Sequence, residues 1–388
     1  MPFLTYIIPT KDRPDRLRRT LMALGSLGDH AGVGGAEVIV IDNASRERAI
    51  LPRQLKSGVA VREIRLPTNE GAAARNRGVA AADSSSEWVV MLDDDSFPDD
   101  TRFPSTLASV PADVAAVSAD IFLSSRPGSS SGAPRESGGL PEVFIGCGVA
   151  IRRAVFLELG GYDPTFNYYA EEYDLAARLI AAGHRTVFSS DFTVQHAKDP
   201  LRRDMNLIVS RLVRNNGWVA ARYAPDDALA SELRMTRSRY RAIARVEGAL
   251  SGYRAGLLAL RSSIHGQRRI PLGPAHWDRF TGLAAAREHL HAAHSAAGFR
   301  TAHIVDHGKN AWVVFEALRQ LGVEIVDDGE EAETLVIGTL SPGPMLDALE
   351  RRWRTRRAYG PRLLAPWMPE STERSAVSAA PRGAAAAA

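Results

Sequence analysis

Three aspartates in a row, Asp93, Asp94 and Asp95, follow the apolar run Trp88–Leu92 in the stretch EWVVMLDDDSFPDD. Adjacent like charges repel and gain nothing from a core, so two readings stand. One is a solvated turn, since Asp favours turns and Pro98, Asp99 and Asp100 continue that chemistry. The other is a site for a hard divalent cation, which takes oxygen ligands and tolerates clustered carboxylates. Asp42 and Asn43 end a second apolar run, VIVIDNAS. Between the two lies NEGAAARNRG, where Asn69 and Gly71 precede a helix carrying Arg75 and Asn76. A helix start with a small residue admits an anion closely, although an ordinary loop glycine is the plain alternative. Farther on, Glu171 and Glu172 open a helical stretch, YYAEEYDLAARLIAAGH. Glu172 shares a stripe with Leu175 and Leu179 and is expected to face inward, where a carboxylate is costly unless chemistry requires it. Glu171 is expected on the other side, favouring the helix dipole, and Asp174 with Arg178 as a surface ion pair. His196, in TVQH, reads either as structural or as a ligand.

These residues need a scaffold that brings strand ends together. Strand candidates are Leu4–Ile8, Glu37–Ile41, Val61–Leu66, Trp88–Leu92, Val114–Ala119, Phe144–Ile151 and Thr186–Phe188. Helix candidates between them are Arg13–Leu27, with Asp12 and Pro14 marking its start, Ala72–Ala82, Arg153–Leu159 and Glu171–Ala182. Such alternation predicts an α/β domain over residues 1–200, with a mixed, mostly parallel sheet and helices on both faces. In open parallel sheets ligands sit beyond the carboxyl ends of strands. Asp42 and Asp93–Asp95 both stand at such ends, which favours the site reading. The Ser/Gly/Pro-rich segment Ser124–Gly139 reads as a mobile loop. Residues 201–298 lose the strand signal and read as amphipathic helices. Residues 299–369 return to strand and helix alternation as a small α/β unit, expected to scaffold, with its DHGKNAW turn open to an acceptor or partner. Residues 370–388 read as a disordered tail.

The chain also resembles the family-2 glycosyltransferases. The matching pieces stand in family order over roughly residues 3–200: IIPTKDRPDRLRRTL, VIVIDNAS, NEGAAARNRG, VVMLDDDS, GCGVAIRRAVFLELGGYDPTF, YYAEEYDLAARLIAAGH and VQH. The resemblance implies the GT-A fold and an inverting transfer of sugar from a nucleotide-diphosphate donor, UDP- or dTDP-linked, to a hydroxyl or amine of a small-molecule or glycan acceptor. It makes the triple aspartate the family's DxD motif, with Asp93 and Asp94 at the donor and Asp95 holding Mg²⁺ or Mn²⁺ on the diphosphate. By the same likeness Pro9, Thr10, Asp42 and Asn43 border the nucleoside, and Asn69, Arg75 and Asn76 the ribose or diphosphate. Gly146 and Gly148 border the sugar and acceptor, and His196 is a further metal contact. Glu172 occupies the position of the catalytic base. The family usually has Glu-Asp there, so the role stays open between Glu171 and Glu172.

Composition narrows the remaining classes. With 388 residues, 45% hydrophobic and 24% charged, the chain reads as a globular protein of two or three domains. A net charge of +3 without Lys/Arg runs among aromatics argues against nucleic acid. The Arg-rich segment 202–269 admits contact with phosphates, an acidic partner or a membrane surface. The single cysteine, Cys147, and the absence of an early leader or a long apolar run suggest a cytoplasmic protein. GVGG at Gly32–Gly35 precedes a strand and so fails the dinucleotide fingerprint, and no P-loop motif occurs. Two other readings stay open: another nucleotide-sugar enzyme such as a nucleotidyltransferase, or a non-catalytic nucleotide-sugar-binding protein.

Overall fold

The computed structural model describes residues 3–28, 34–99, 102–124, 132–198, 203–355 and 360–368. Its first part is an eight-stranded sheet built from β1 (Leu4–Thr10), β2 (Ala36–Asp42), β3 (Ala60–Arg65), β4 (Trp88–Met91), β5 (Ser96–Pro98), β6 (Val114–Phe122), β7 (Val149–Arg152) and β8 (Arg185–His196). The spatial order is β3-β2-β1-β4-β7-β6-β8-β5. The strands β3, β2, β1 and β4 run parallel, as do β6 and β8, while β7 and β5 are antiparallel to their neighbours.

Period-two alternation feeds both faces of this sheet. On β1, Leu4, Tyr6 and Ile8 join one apolar cluster with Val38, Val40 and Trp88. Helix α1 (Pro14–Ser26) covers it with Leu17, Leu21 and Leu24, a helical spacing that keeps all three on one stripe. Ile7, Ile39, Ile41, Val89 and Met91 point the other way. They share a cluster with α2 (Ala74–Ala81), α4 (Arg153–Glu158) and α5 (Glu171–Ala181). The turn into α1 does not use Asp12 as a cap. Asp12 takes φ 54° and its Oδ1 accepts the Arg46 N–H at 2.7 Å, tying this turn to the one after β2.

Four departures from the expected elements matter. The strand expected at Phe144–Ile151 begins only at Val149, because the backbone leaves the sheet at Gly146–Gly148. A Cβ on Gly148 would press within 2.8 Å of Ile121. The short β5 and helix α3 (Phe103–Ser109) carry too little periodic pattern to be read. Part of the segment expected to be a mobile loop is anchored: Arg135 Nε donates to Asp120 at 2.9 Å and its Nη1 to Asp347 at 2.9 Å.

Among the described residues five α-helices follow, α6 (Met205–Tyr223), α7 (Asp226–Val246), α8 (Leu250–Ser263), α9 (Pro274–Thr281) and α10 (Leu283–Ala297). A second, all-parallel sheet closes the chain. It comprises β9 (Thr301–Val305), β10 (Glu324–Ile325), β11 (Thr334–Ile337) and β12 (Arg362–Leu364), in the order β10-β9-β11-β12, with α11 (Ala311–Gln320) and α12 (Pro342–Thr355). It docks on the first sheet through Arg135 and through Trp367, whose ring meets Phe188 edge-on at 6.3 Å. The segment read as a disordered tail, residues 370–388, lies outside the described residues.

Candidate active site

Parallel pairing puts the carboxyl ends of β1, β2 and β4 on one edge. Thr10 pairs with Asp42, each the last residue of its strand, and Ile7 pairs with Met91 so that the three aspartates emerge beside Pro9 and Thr10. Charge repulsion among the three is answered residue by residue. Asp93 pairs with Arg75 of α2. Asp94 accepts from the Thr10 hydroxyl at 2.8 Å and pairs with Arg13 at 2.7 Å. Asp95 pairs with Arg13 and, at 3.1 Å, with Arg16. Arg13 and Arg16 were not among the expected site residues. Their spacing at the start of α1, on the same sheet edge as the aspartates, was the available signal.

His196 ends β8 and brings its Nε2 to 3.4 Å from Asp95 Oδ1. On the other ring nitrogen, Nδ1 lies 2.9 Å from Glu136 Oε2, and Lys198 holds the remaining Glu136 oxygen at 2.5 Å. A carboxylate behind a histidine fixes the ring and its tautomer. Glu136 was missed because it sits in a Ser/Gly/Pro-rich stretch. Burial raises Asp94 to about 7 despite Arg13. Burial would raise Asp95 as well, but His196 and Arg13 outweigh it and bring Asp95 to about 2.

One ligand atom from each of Asp93, Cys147 and His196 lies within 4.8 Å of the others. Carboxylate and imidazole donors fit a divalent ion such as Mn²⁺. The buried Cys147 thiol, pushed up by its burial, is a poor ligand for a hard cation. Asp95 has its Oδ1 on the His196 side and its Oδ2 against the two arginines.

The second acidic pair stands at the start of α5. Glu171 is buried and Glu172 is partly exposed, the reverse of the expected order. The physical reason is that α5 is buried on more than one side: Asp174, Leu175, Ala176, Ala177, Leu179 and Ile180 are all buried, so the Leu175–Leu179 stripe does not single out one inward residue at the helix start. Asn167, Tyr169 and Ala170 all take positive φ, so the chain enters α5 through a left-handed turn. Glu172 Oε1 accepts the Gly146 N–H at 3.3 Å. Burial raises the pKa of both glutamates. In Glu171 the neighbouring Glu172 charge adds to the rise, and in Glu172 its own backbone N–H and Arg75 oppose it.

The strained turn is held from α6. Asn215 is fully buried, and its Nδ2 donates to the carbonyls of Phe166, Tyr168 and Tyr169 at 3.0, 2.8 and 2.7 Å. The far side of the turn meets Gly71, where a Cβ would collide with the Asn167 carbonyl. That contact and φ 65° require glycine there.

Other expected residues serve the frame. Asn43 uses both ends of its amide, donating to the Gly71 carbonyl at 3.0 Å and accepting the Glu70 N–H at 2.7 Å. Asp42 Oδ1 accepts the Ser45 N–H at 2.8 Å. Asn76 donates to the Tyr162 carbonyl and accepts the Tyr162 N–H, so its amide is not brought to the aspartates. Asn69 is exposed, its Oδ1 accepting from Gly71 N–H and the Tyr168 hydroxyl. Asp174 is not on the surface: only 1% of its side chain is accessible, and it binds Arg178, Arg222 and Tyr223 at 2.7–2.8 Å.

Residues 5–173 match the family described as glycosyl transferase family 2. The first part of the chain is a family 2 glycosyltransferase domain. An uncharacterized glycosyltransferase of Haemophilus influenzae is 34% identical over 92 residues, 24% of this chain and 29% of that protein. The domain thus matches less than a third of that relative's length. GalNAc-T7, solved with UDP, GalNAc and Mn²⁺, shares the fold at a TM-score of 0.50 and 15% identity, over 69% of this chain and 58% of that one. S. aureus TarS 1–349 in complex with UDP-GlcNAc aligns at a TM-score of 0.47 and 16% identity, over 84% and 95% of the two chains. The glycosyltransferase domain has the mixed, mostly parallel sheet expected from the sequence. Among the described residues no helix is long and apolar enough to cross a membrane.

Proposed function

We propose that this chain moves a sugar from a nucleoside-diphosphate donor, UDP- or dTDP-linked, to an acceptor hydroxyl or amine by a single displacement that inverts the anomeric centre. One observation carries the reading. Consecutive residues of the loop leading into β7 reach both sides of the site: Gly146 N–H meets Glu172, and Cys147 Sγ lies 3.5 Å from His196, the imidazole beside Asp95. A charge-stabilising cluster and a proton acceptor thus flank one short glycine loop.

In this reading Asp93, Asp95 and His196 hold a divalent ion, with Glu136 fixing the histidine. A bound Mg²⁺ or Mn²⁺ there supplies charge stabilisation to the leaving diphosphate. Arg13 and Arg16, now spent on Asp94 and Asp95, lie near enough to turn toward phosphate once a cation neutralises the aspartates. Thr10, Asp42 and Asn43 shape the nucleoside end, and Gly146 and Gly148 leave room for the sugar because neither carries a side chain. Glu172 accepts the acceptor's proton as its oxygen or nitrogen bonds to the anomeric carbon, a role worth about 10²–10⁴-fold. Glu171 lies deeper, its carboxyl raised by burial and by the neighbouring Glu172 charge.

The test is release of UDP or dTDP from a panel of nucleotide sugars by the full chain. Turnover of at least one donor, abolished by EDTA and restored by Mn²⁺ or Mg²⁺, is expected. Turnover that persists undiminished in EDTA contradicts the metal assignment, and no turnover of any donor contradicts the transferase reading.

A further inference from the structure

The C-terminal α/β unit sends one side chain into the acidic face of α5. The turn after β9 runs from Asp306 to Asn310 and is pinned at three places. Gly308 N–H donates to the Gly338 carbonyl at 2.7 Å, and Leu340 N–H donates to the Lys309 carbonyl at 3.0 Å. Asn310 Nδ2 donates to the Thr281 carbonyl at 2.9 Å. Asp306 and Asn310 take φ of 52° and 57°, and Arg351 and Arg352 clamp the Asp306 carboxylate. A turn so restrained can aim its side chain in few directions.

Lys309 is the residue aimed. Its Nζ lies 4.0 Å from the centroid of the Tyr173 ring, the residue after Glu172. That ring stands edge-on to Phe280 at 6.4 Å, and its hydroxyl is buried without a hydrogen-bond partner. Among the described residues no carboxylate stands within ion-pairing distance of Lys309, yet the charge of Glu172 reaches it. Burial brings the ammonium down to about 7, with Glu172 working the other way. A desolvated ammonium held only over an aromatic ring is costly, so its place near Glu172 calls for a use. The other charges bearing on Glu172 are Arg75 of α2 and Asp93 after β4, with Glu171 beside it on α5.

We propose that Lys309 is a positioning residue on the acceptor side of the site, its ammonium orienting the Glu172 carboxylate and keeping it ionised until it takes the acceptor's proton. The inference rests on the transferase reading. In the step itself the acceptor O–H bond breaks and its proton passes to Glu172. The oxygen bonds to the anomeric carbon, and the electrons of the old glycosidic bond leave with the nucleoside diphosphate. Lys309 neither gains nor loses a proton.

The experiment compares the full-length wild type with Lys309→Met and Lys309→Gln, using nucleotide-sugar hydrolysis with water as acceptor. In both variants kcat should fall about 10-fold, less than the roughly 10²–10⁴-fold that loss of the base itself costs, with donor KM and calorimetric UDP affinity within about twofold of wild type. Because the cation is present below its pKa and lost above it, wild-type kcat should decline as pH rises past about 7. That alkaline decline should vanish in the variants. Melting curves accompany the assay, and if the Met variant melts lower, the polar Gln variant decides. Unchanged kcat and pH profile overturn the proposal, as does a loss of UDP affinity that parallels the loss of kcat, which marks a structural role. A wild type that turns over no donor overturns the transferase reading and this inference with it.

Discussion

The two acidic groups of the glycosyltransferase domain sit on either side of one glycine loop, yet they are housed in opposite ways. Each of Asp93, Asp94 and Asp95 has a guanidinium against it, and Asp95 is brought to about 2. Glu171 and Glu172 have no guanidinium at ion-pairing distance among the described residues; backbone N–H groups, a more distant Arg75 and, for Glu172, Lys309 bear on them, and burial pushes both upward. Identical side-chain chemistry is thereby split: Asp95 is held negative by the cations around it, while burial raises Asp94 and the two glutamates. Pairs of titratable groups driven apart by environment are how acid, base and charge-stabilising roles are divided in general.

The sharpest way to break this contrast is to remove its most polarised member. Asp95→Ala should weaken Mn²⁺-dependent UDP binding by about 100-fold while leaving uridine binding nearly unchanged, as calorimetry would read. Glu136→Ala, one bond farther from the ion, should cost about 10-fold in Mn²⁺ affinity, because a carboxylate behind a metal-bound histidine is worth roughly 10–100-fold. Equal effects of both on uridine would mean that the cluster is structural rather than metal-directed.

A smaller effect probes the scaffold of the other group. Asn215→Ala strands the Tyr168 and Tyr169 carbonyls of the left-handed turn, and an unsatisfied buried polar group costs about 1–3 kcal/mol. The variant should melt several degrees lower, on the order of 5 °C, and lose kcat with UDP affinity intact. A normal melting temperature with full activity would show that the turn holds itself.

Much of the first acidic group was legible because a parallel sheet makes it so. Apolar runs that end in Asp42 and in Asp93–Asp95 announce strand ends, and parallel strands share one edge. The second group was legible in type but not in phase. The stripe through Leu175 and Leu179 assumes a helix with one buried face, whereas α5 is buried on several sides, Asp174, Ala176 and Ala177 included. Residues that act through others left no local pattern. Glu136 lies in a Ser/Gly/Pro-rich stretch, and Asn215 in a helix whose apolar stripe carries the signal. Asp174 and Arg178 have the spacing of an exposed pair, but Arg222 and Tyr223, from a helix far along the chain, close over Asp174. Lys309 comes from a unit with no motif match at all. Its reach to Tyr173 depends on how the second sheet docks, which no local spacing encodes.

The division of labour between the two groups is tested most directly by exchanging the charge of the second. Glu172→Gln keeps the shape, and by this account nucleotide-sugar turnover falls about 100-fold or more while UDP affinity and its Mn²⁺ dependence stay at wild-type values. Glu171→Gln, measured alongside, should retain far more activity, since its partner remains the base. Normal turnover by Glu172→Gln with a dead Glu171→Gln would contradict the assignment and move the base to the buried neighbour.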